Sequence, residues 1–358
     1  MAPLVHELKR REEIESRVCV TAQHREMLDQ VLDLFEIEPD YDLDIMKHGQ
    51  TLQGITSDIL LQLTEVLEEF KPDYVLVHGD TSTTFAASLA AFYQQIPVGH
   101  IEAGLRTHDL YSPWPEEGNR CLTSVLSQWH FAPTETSKQN LVAENIAENS
   151  VVVTGNTVID ALLTVTEKLD QPEWVAEMEA KFPFLEDDPQ MVLVTAHRRE
   201  NHGKRIRNIA EAIRILANKY PAIQFVLPLH LNPKVREPLK EALESISNVQ
   251  LIEPQDYAPF VYLMTKAMLL LSDSGGIQEE APSLGIPVLV MRNSTERPEA
   301  IEAGTVKLVG ADTDVIVDEC SSLIESEALY RQMSNAKNPY GDGFASKRIV
   351  DSLLSTRE

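Results

Sequence analysis

Two doubly wound α/β domains are what this sequence predicts, and three observations predict them. Strand-like apolar runs alternate with amphipathic helical stretches almost throughout the 358 residues, the pattern of parallel sheets covered by helices on both faces. A polar stretch at 167–190 carries no strand signal and separates the runs into two sets. A chain of this length can bury two separate cores.

The elements follow in order. Residues 1–10 read as a helix with Pro3 in its first turn, and no strand precedes it. Apolar runs at 18–20, 74–78, 98–101 and 151–154 form the first set of strands. Runs at 192–195, 225–229, 249–252, 268–271 and 287–290 form the second. Helical periodicity lies between them: over 204–219, Ile206, Ile209, Ile213 and Leu216 share one face while Arg207 and Arg214 point away. The domain boundary is expected near 155–160, with ligands bound where strand C-termini end. There is no internal repeat or low-complexity tract.

Composition narrows the function. Hydrophobic content of 43% and charged content of 24% are ordinary for a globular protein. Lys+Arg 31 against Asp+Glu 56 gives a net charge of −25, which argues against nucleic-acid binding, since phosphate neutralisation needs clustered cations. Cys19, Cys121 and Cys320 are odd in number and far apart, so neither a metal site nor a disulfide framework is expected and a reducing cytoplasm fits. With no signal peptide and no apolar run near 18 residues, membrane spanning is not expected. The ten histidines show no H-E-x-x-H spacing, and no C-x-x-C occurs.

Polar clusters end several strands, and this shared placement counts for more than any one cluster. His78-Gly79-Asp80-Thr81 follows the run 74–78; taken alone, Asp80 or a nearby Thr is a helix N-cap. Glu102 ends the run 98–101, where an unpaired carboxylate is costly, so it needs a partner or a task. Glu116 and Glu117 follow Pro113-Trp114-Pro115; they read either as first-turn acids favoured by the helix dipole or as part of the same acidic set.

In the second set, Asp273-Ser274-Gly275-Gly276 joins a buried run to a helix containing Glu279 and Glu280. Adjacent glycines let amide groups approach an anion, Ser274 adds a hydroxyl, and Glu280 offers an acceptor for a ribose. A tight turn explains a lone Gly pair equally well. His197, Arg198 and Arg199 end the run 192–195, and His230 ends 225–229. An anion site here must be locally positive within an acidic chain, from Arg198, Arg199 and Arg297. Tyr257 and Phe260 are core aromatics or a face for a base.

These motifs, in order, resemble the non-hydrolysing UDP-N-acetylglucosamine 2-epimerases: His78-Gly79-Asp80-Thr81, the segment 99–107, Pro115-Glu116-Glu117, Thr154-Gly155-Asn156-Thr157, the segment 197–201, Asp273-Ser274-Gly275-Gly276, Thr295-Glu296-Arg297-Pro298-Glu299 and the segment 338–343. The resemblance covers essentially the whole chain. It implies two Rossmann-like domains facing across a cleft, of the glycosyltransferase B type: 1–158 with 340–358, and 159–339. The last helix, at 346–354, would cross back to the first domain. The implied protein is a homodimer serving bacterial surface polysaccharide synthesis. Its reaction interconverts UDP-N-acetylglucosamine and UDP-N-acetylmannosamine, by anti elimination of UDP to 2-acetamidoglucal and re-addition, with no metal or redox cofactor.

Carried over by motif, Asp80, Glu102 and Glu116 are the catalytic acids and bases, and His197 meets the departing diphosphate. Arg198, Phe260, Ser274, Gly275, Gly276, Glu280 and Arg297 would bind the substrate. Gln23, Gln50, Arg198 and His230 match positions that bind a second substrate molecule as activator, although Gly49 and Glu26 depart from that pattern. The family opens with a strand and a Gly-Thr-Arg-Pro-Glu loop beyond which Met1 aligns, so both are expected to be lacking here. Two alternatives stay open at this point: a hydrolysing 2-epimerase, and an impaired, non-catalytic UDP-sugar-binding protein.

Overall fold

All nine apolar runs form or overlap strands in the computed structural model, which describes residues 1–22, 25–47 and 49–355. Among the described residues there are twelve strands, and all of their pairings are parallel. The chain divides into two compact units, Met1–Ala161 with Tyr340–Glu358, and Leu162–Pro339.

In the first unit, β1 (Cys19–Val20) pairs with β2 (Tyr41–Asp42) in a two-stranded sheet. A second sheet holds β3 (Val75–His78), β4 (Val98–Ile101), β5 (Trp129–Ala132) and β6 (Val151–Val153), in that spatial order. The helix Leu52–Phe70 buries Ile55, Ile59, Leu63 and Leu67, a spacing of four that puts them on one stripe against Val77, Val98 and the alanines of the helix Ser82–Tyr93. Both ends of the chain meet in another cluster. Leu4 and Leu8 of the helix Ala2–Lys9 join Ile349, Val350 and Leu353 of the helix Ala345–Ser355, over Ile101 and Phe131. Asp160 accepts from the amides of Ala345 and Ser346 and so anchors the first turn of that last helix.

Gly104, two residues beyond Glu102, has φ +91°, and a Cβ there would lie 2.2 Å from the Ser137 carbonyl oxygen, so only glycine fits.

The second unit carries one six-stranded sheet of β7 (Met191–Thr195), β8 (Gln224–Pro228), β9 (Val249–Ile252), β10 (Leu269–Ser272), β11 (Val288–Val290) and β12 (Val306–Leu308). Its spatial order, β12-β11-β10-β7-β8-β9, is the doubly wound Rossmann arrangement, and the winding reverses between β7 and β10. The loops after those two central strands begin side by side, because Thr195 is in register with Ser272 and their hydroxyl oxygens lie 2.7 Å apart. Ile206, Ile209, Ile213 and Leu216 of the helix Lys204–Lys219 are buried in the core as the periodicity predicts, and Arg207 and Arg214 are exposed.

Three strands escape the sequence reading. β5 carries His130 inside the sheet; β12 is a short edge strand with an exposed lysine; β2 is two residues long. His130 is tolerated because its Nε2 meets the Ser124 carbonyl at 2.9 Å. Its register partner on β4, His100, is fully buried with Nε2 2.8 Å from the Gly79 carbonyl. Burial pushes the His100 imidazole down to about 3 and lowers His130 as well. Both therefore stay neutral in the fold while the unfolded chain takes up protons below its ordinary value near 6.5. Stability is expected to fall as pH drops from about 6.5 toward 3, by about 1.4 kcal/mol per pH unit for His100, with His130 adding in the same direction. Thermal melts of His100→Asn between pH 7 and pH 4 should show a shallower decline than the parent protein.

Candidate active site

Asp80 lies in the loop after β3, yet it does not cap the next helix. Thr81 does so, accepting from the Thr84 amide, and this frees the Asp80 carboxylate for Arg120, whose Nη2 donates to it at 2.5 Å. The other arm of Arg120 donates to Glu117 at 2.8 Å. Glu117 is 1% exposed and also accepts from the amides of Thr107 and His108. Asn119 donates to the Asp80 carbonyl. One turn of the helix Glu116–Leu126 thus holds the ends of β3 and β4 together through a buried cation.

Glu102 follows β4 directly and has φ +64°, a left-handed conformation that costs a non-glycine residue about 1–3 kcal/mol. Its carboxylate accepts from the Asn156 side chain at 2.9 Å. A Cβ added to Gly79 would lie 3.5 Å from its other oxygen, so this carboxylate sits beside the loop that carries Asp80. Glu116 is partly buried, with Oε2 out of solvent and accepting from nothing among the described residues. The residues alone left Glu116 and Glu117 equivalent, and the resemblance singled out Glu116. In the fold Glu117 is the structural member, and Glu116 keeps an uncommitted oxygen.

In the second unit the loops after β7 and β10 share one buried carboxylate. Asp273 is wholly inaccessible and accepts from the amides of His197 and Arg198, from Asn201 Nδ2 at 2.9 Å and from His197 Nδ1 at 3.1 Å. Burial opposes its charge, but His197, the Arg198 amide and Asn201 outweigh that and hold its carboxyl below the usual range. Beside it the amides of Gly275, Gly276 and Ile277 donate to no acceptor among the described residues. A Cβ at Gly275 would lie 2.8 Å from both Arg297 Nη1 and its ion-pair partner Glu296 Oε1, and 3.4 Å from Arg198 Nη2, so two guanidiniums and one carboxylate border the glycine turn. Arg198 Nε is buried without a partner. Arg297 pairs with Glu279 and with Glu296 at 2.7 Å, and Arg292 reaches Glu296 and Glu200. Unpaired amides beside the Arg198 guanidinium suit a diphosphate.

Glu280 is buried, accepting from the Tyr257 hydroxyl at 2.6 Å. Burial pushes its carboxyl up to about 7, partly offset by the Tyr257 hydrogen bond. Tyr257 is thereby a positioned polar aromatic rather than an apolar core one, while Phe260 is partly exposed on the same helix, Tyr257–Lys266. Ser274 donates its amide to Ser272 Oγ.

His230 is exposed, and its ring stacks at 6.1 Å from that of His197. Arg199 is exposed on the turn Arg199–Asn201, and Arg292 joins the charge cluster in its place. Gln50 donates to the Ile45 carbonyl in the first unit; Gln23 lies outside the described residues. Arg120, Asn156 and Asp273 went unassigned in the sequence reading, as did Gln255, whose side-chain oxygen is buried without a partner. No group of three or more His, Cys, Asp or Glu among the described residues could hold a metal ion.

Comparison with known proteins finds relatives over essentially the whole chain. A family model described as UDP-N-acetylglucosamine 2-epimerase matches residues 6–354. A UDP-N-acetylglucosamine 2-epimerase of Neisseria meningitidis is 64% identical over 357 residues, covering 100% of this chain and 96% of the relative. One of Escherichia coli (strain K12) is 59% identical, covering 100% and 95%. Among solved structures, the Neisseria meningitidis UDP-GlcNAc 2-epimerase bound to UDP-GlcNAc has a TM-score of 0.93 at 64% identity, covering 99% of this chain and 96% of that one. The Methanocaldococcus jannaschii enzyme in complex with UDP-GlcNAc and UDP scores 0.81 at 34% identity, covering 99% and 95%.

Arg120→Met leaves Glu117 buried without its cation and should destabilise the protein by about 3–5 kcal/mol. Urea unfolding measures this, and adding Glu117→Gln to the same chain should recover part of the loss.

Proposed function

The chain belongs to the UDP-N-acetylglucosamine 2-epimerase family, and from that premise we propose that it interconverts UDP-N-acetylglucosamine and UDP-N-acetylmannosamine by a non-hydrolysing route. The C2 hydrogen of the sugar is not adjacent to a ketone, so direct abstraction is prohibitively slow. Breaking the C1–O bond first, with its electron pair leaving on UDP, makes loss of the C2 proton feasible and yields 2-acetamidoglucal. UDP then re-adds at C1 as a proton returns to the opposite face of C2. The chemistry needs a base, an acid on the other face and support for the departing charge.

Asp80, Glu102 and Glu116 are the proposed acids and bases, and His197 the group that meets the departing diphosphate. Gly275, Gly276, Arg198 and Arg297 hold the diphosphate, with Ser274 adding a hydroxyl, Glu280 accepting from the ribose, and Phe260 beside the base. The observation that carries the reading is a glycine turn with three unpaired amides that the Arg198 guanidinium approaches, beside His197 at the switch point of the second sheet. No cofactor enters these steps.

The proposal extends to the assembly. The helices Ser82–Tyr93 and Glu116–Leu126 pack together and leave Phe92, Leu122 and Val125 54%, 51% and 76% exposed, an apolar surface suited to a homodimer. A cytoplasmic enzyme supplying surface polysaccharide synthesis, activated by a second substrate molecule, completes the reading.

Purified protein given UDP-N-acetylglucosamine in deuterated water should form UDP-N-acetylmannosamine carrying deuterium at C2, followed by NMR. Release of free N-acetylmannosamine would identify a hydrolysing enzyme instead, and no turnover would leave only a binding protein. Gly275→Ala should retain the fold but raise KM at least about tenfold by displacing the Arg297–Glu296 pair and covering the turn's amides, about 1.4 kcal/mol of lost binding; steady-state kinetics decides.

A further inference from the structure

Asp273 is wholly buried, and nothing in the proposed chemistry uses it. Its carboxylate faces four donors, three of which are peptide or amide N–H groups. The fourth is the side chain of His197, the one titratable donor, with Nδ1 3.1 Å from Oδ1. An ionised carboxylate can only accept, so the proton between them belongs to Nδ1. That leaves Nε2 as the ring atom His197 presents, on a side chain that is 38% exposed. The ring is held from two further directions. Its own amide donates to Asp273, and the His230 ring stacks against it at an interplanar angle of 23°. His230 is fixed in turn, with Nδ1 accepting from the Asn232 amide at 3.1 Å.

We propose that Asp273 is the positioning residue of His197: it fixes the Nδ1–H tautomer and supports the imidazolium whose Nε2–H is donated to the departing diphosphate. The inference rests on the reading of His197 given above and adds to it the group that makes that role possible. When the C1–O bond breaks, its electron pair moves onto the diphosphate oxygen and the Nε2 proton of His197 is shared with that oxygen. The positive charge on the ring faces Asp273 on its far side, and the proton returns to Nε2 as UDP re-adds. Asp273 itself gains and loses nothing. A carboxylate behind a catalytic imidazole holds its tautomer and orientation and stabilises the imidazolium that forms.

A purely structural role is the competing explanation, because Asp273 also ties the loop after β7 to the end of β10. The test therefore reads the imidazole itself. In the unmodified protein labelled with 15N-histidine, the His197 resonances, assigned by their loss in His197→Asn, should show Nδ1 protonated throughout the neutral range. A neutral Nε2–H tautomer there overturns the proposal without any variant having to fold. In Asp273→Asn the Nδ1–H signature should disappear, kcat should fall about 100-fold with KM changed less than about threefold, and the basic limb of the kcat profile should move to lower pH. Asp273→Asn combined with His197→Asn should be no slower than His197→Asn alone; multiplied losses, or an unchanged pH profile, would show that Asp273 acts on the fold and not through the ring. Asp273→Glu, which keeps the charge, should recover part of kcat. Lack of epimerisation by the unmodified protein would sink the functional reading, whereas the tautomer result sinks only this inference.

Discussion

A carboxylate buried at the end of a parallel strand survives only if donors converge on it, and the second unit is arranged around one that does. Asp273 terminates β10 and receives the peptide groups of the loop that leaves β7. Since β7 and β10 are the neighbours between which this sheet reverses its winding, the carboxylate fixes the place where two loops diverge from its adjacent central strands. Without its charge the bonds from the amides of His197 and Arg198 would weaken. The same anion therefore shapes the loop and orients the imidazole upon it.

The first unit solves a similar problem with a cation. Asp80 and Glu117 come from different loops, and Arg120, 9% exposed, stands between them. Bridging two acids with one guanidinium leaves a net negative charge, which the amides of Thr107 and His108 offset at Glu117. Asp80 receives no such amides and is a quarter exposed. The less compensated member of the pair is thus the one turned toward solvent. Glu102 adds a strained backbone and one amide donor from Asn156. Glu280 lies at the other extreme, a buried acid with a single phenol donating to it and a carboxyl raised to about 7. Glu117 and Asp273 are saturated with donors; Glu116 and Glu280 keep acceptor capacity that a ligand can use.

This division explains what the sequence could and could not convey. Strands such as β8 and β10 were legible because burial on both faces demands unbroken apolar runs, and the site was legible because polar residues stood at the ends of those runs. β5 was hidden by His130, whose cost is met by a carbonyl in a helix six residues away in sequence. Asp80 looked like a capping residue because Thr81 and Asp80 are chemically equivalent at that task, and only the fold shows that Thr81 performs it. Arg120 and Asp273 carried no local signal of their roles. Their partners lie 40 and 76 residues away, so those roles exist only once strand order has been set.

The acidic composition bears on how an anion could be bound at all. With a net charge of −25, the long-range field opposes any phosphate ligand, and the arginines near the glycine turn do little to reverse it. Arg292 and Arg297 alternate with Glu200, Glu296 and Glu279 in a chain of ion pairs, so their charges are largely cancelled within the protein. Burial opposes the charge on Glu296, but Arg297 and Arg292 overcome it and keep its carboxyl low. What remains for a ligand is directional: three amides without acceptors, the unpaired edge of Arg198 and the exposed edge of His197. Donors held rigidly by a buried network lose little entropy on binding, and in a water-poor turn they are worth more than the same groups in solvent. Recognition in this unit therefore depends on geometry fixed by buried acids, and the net charge of the chain is secondary to it.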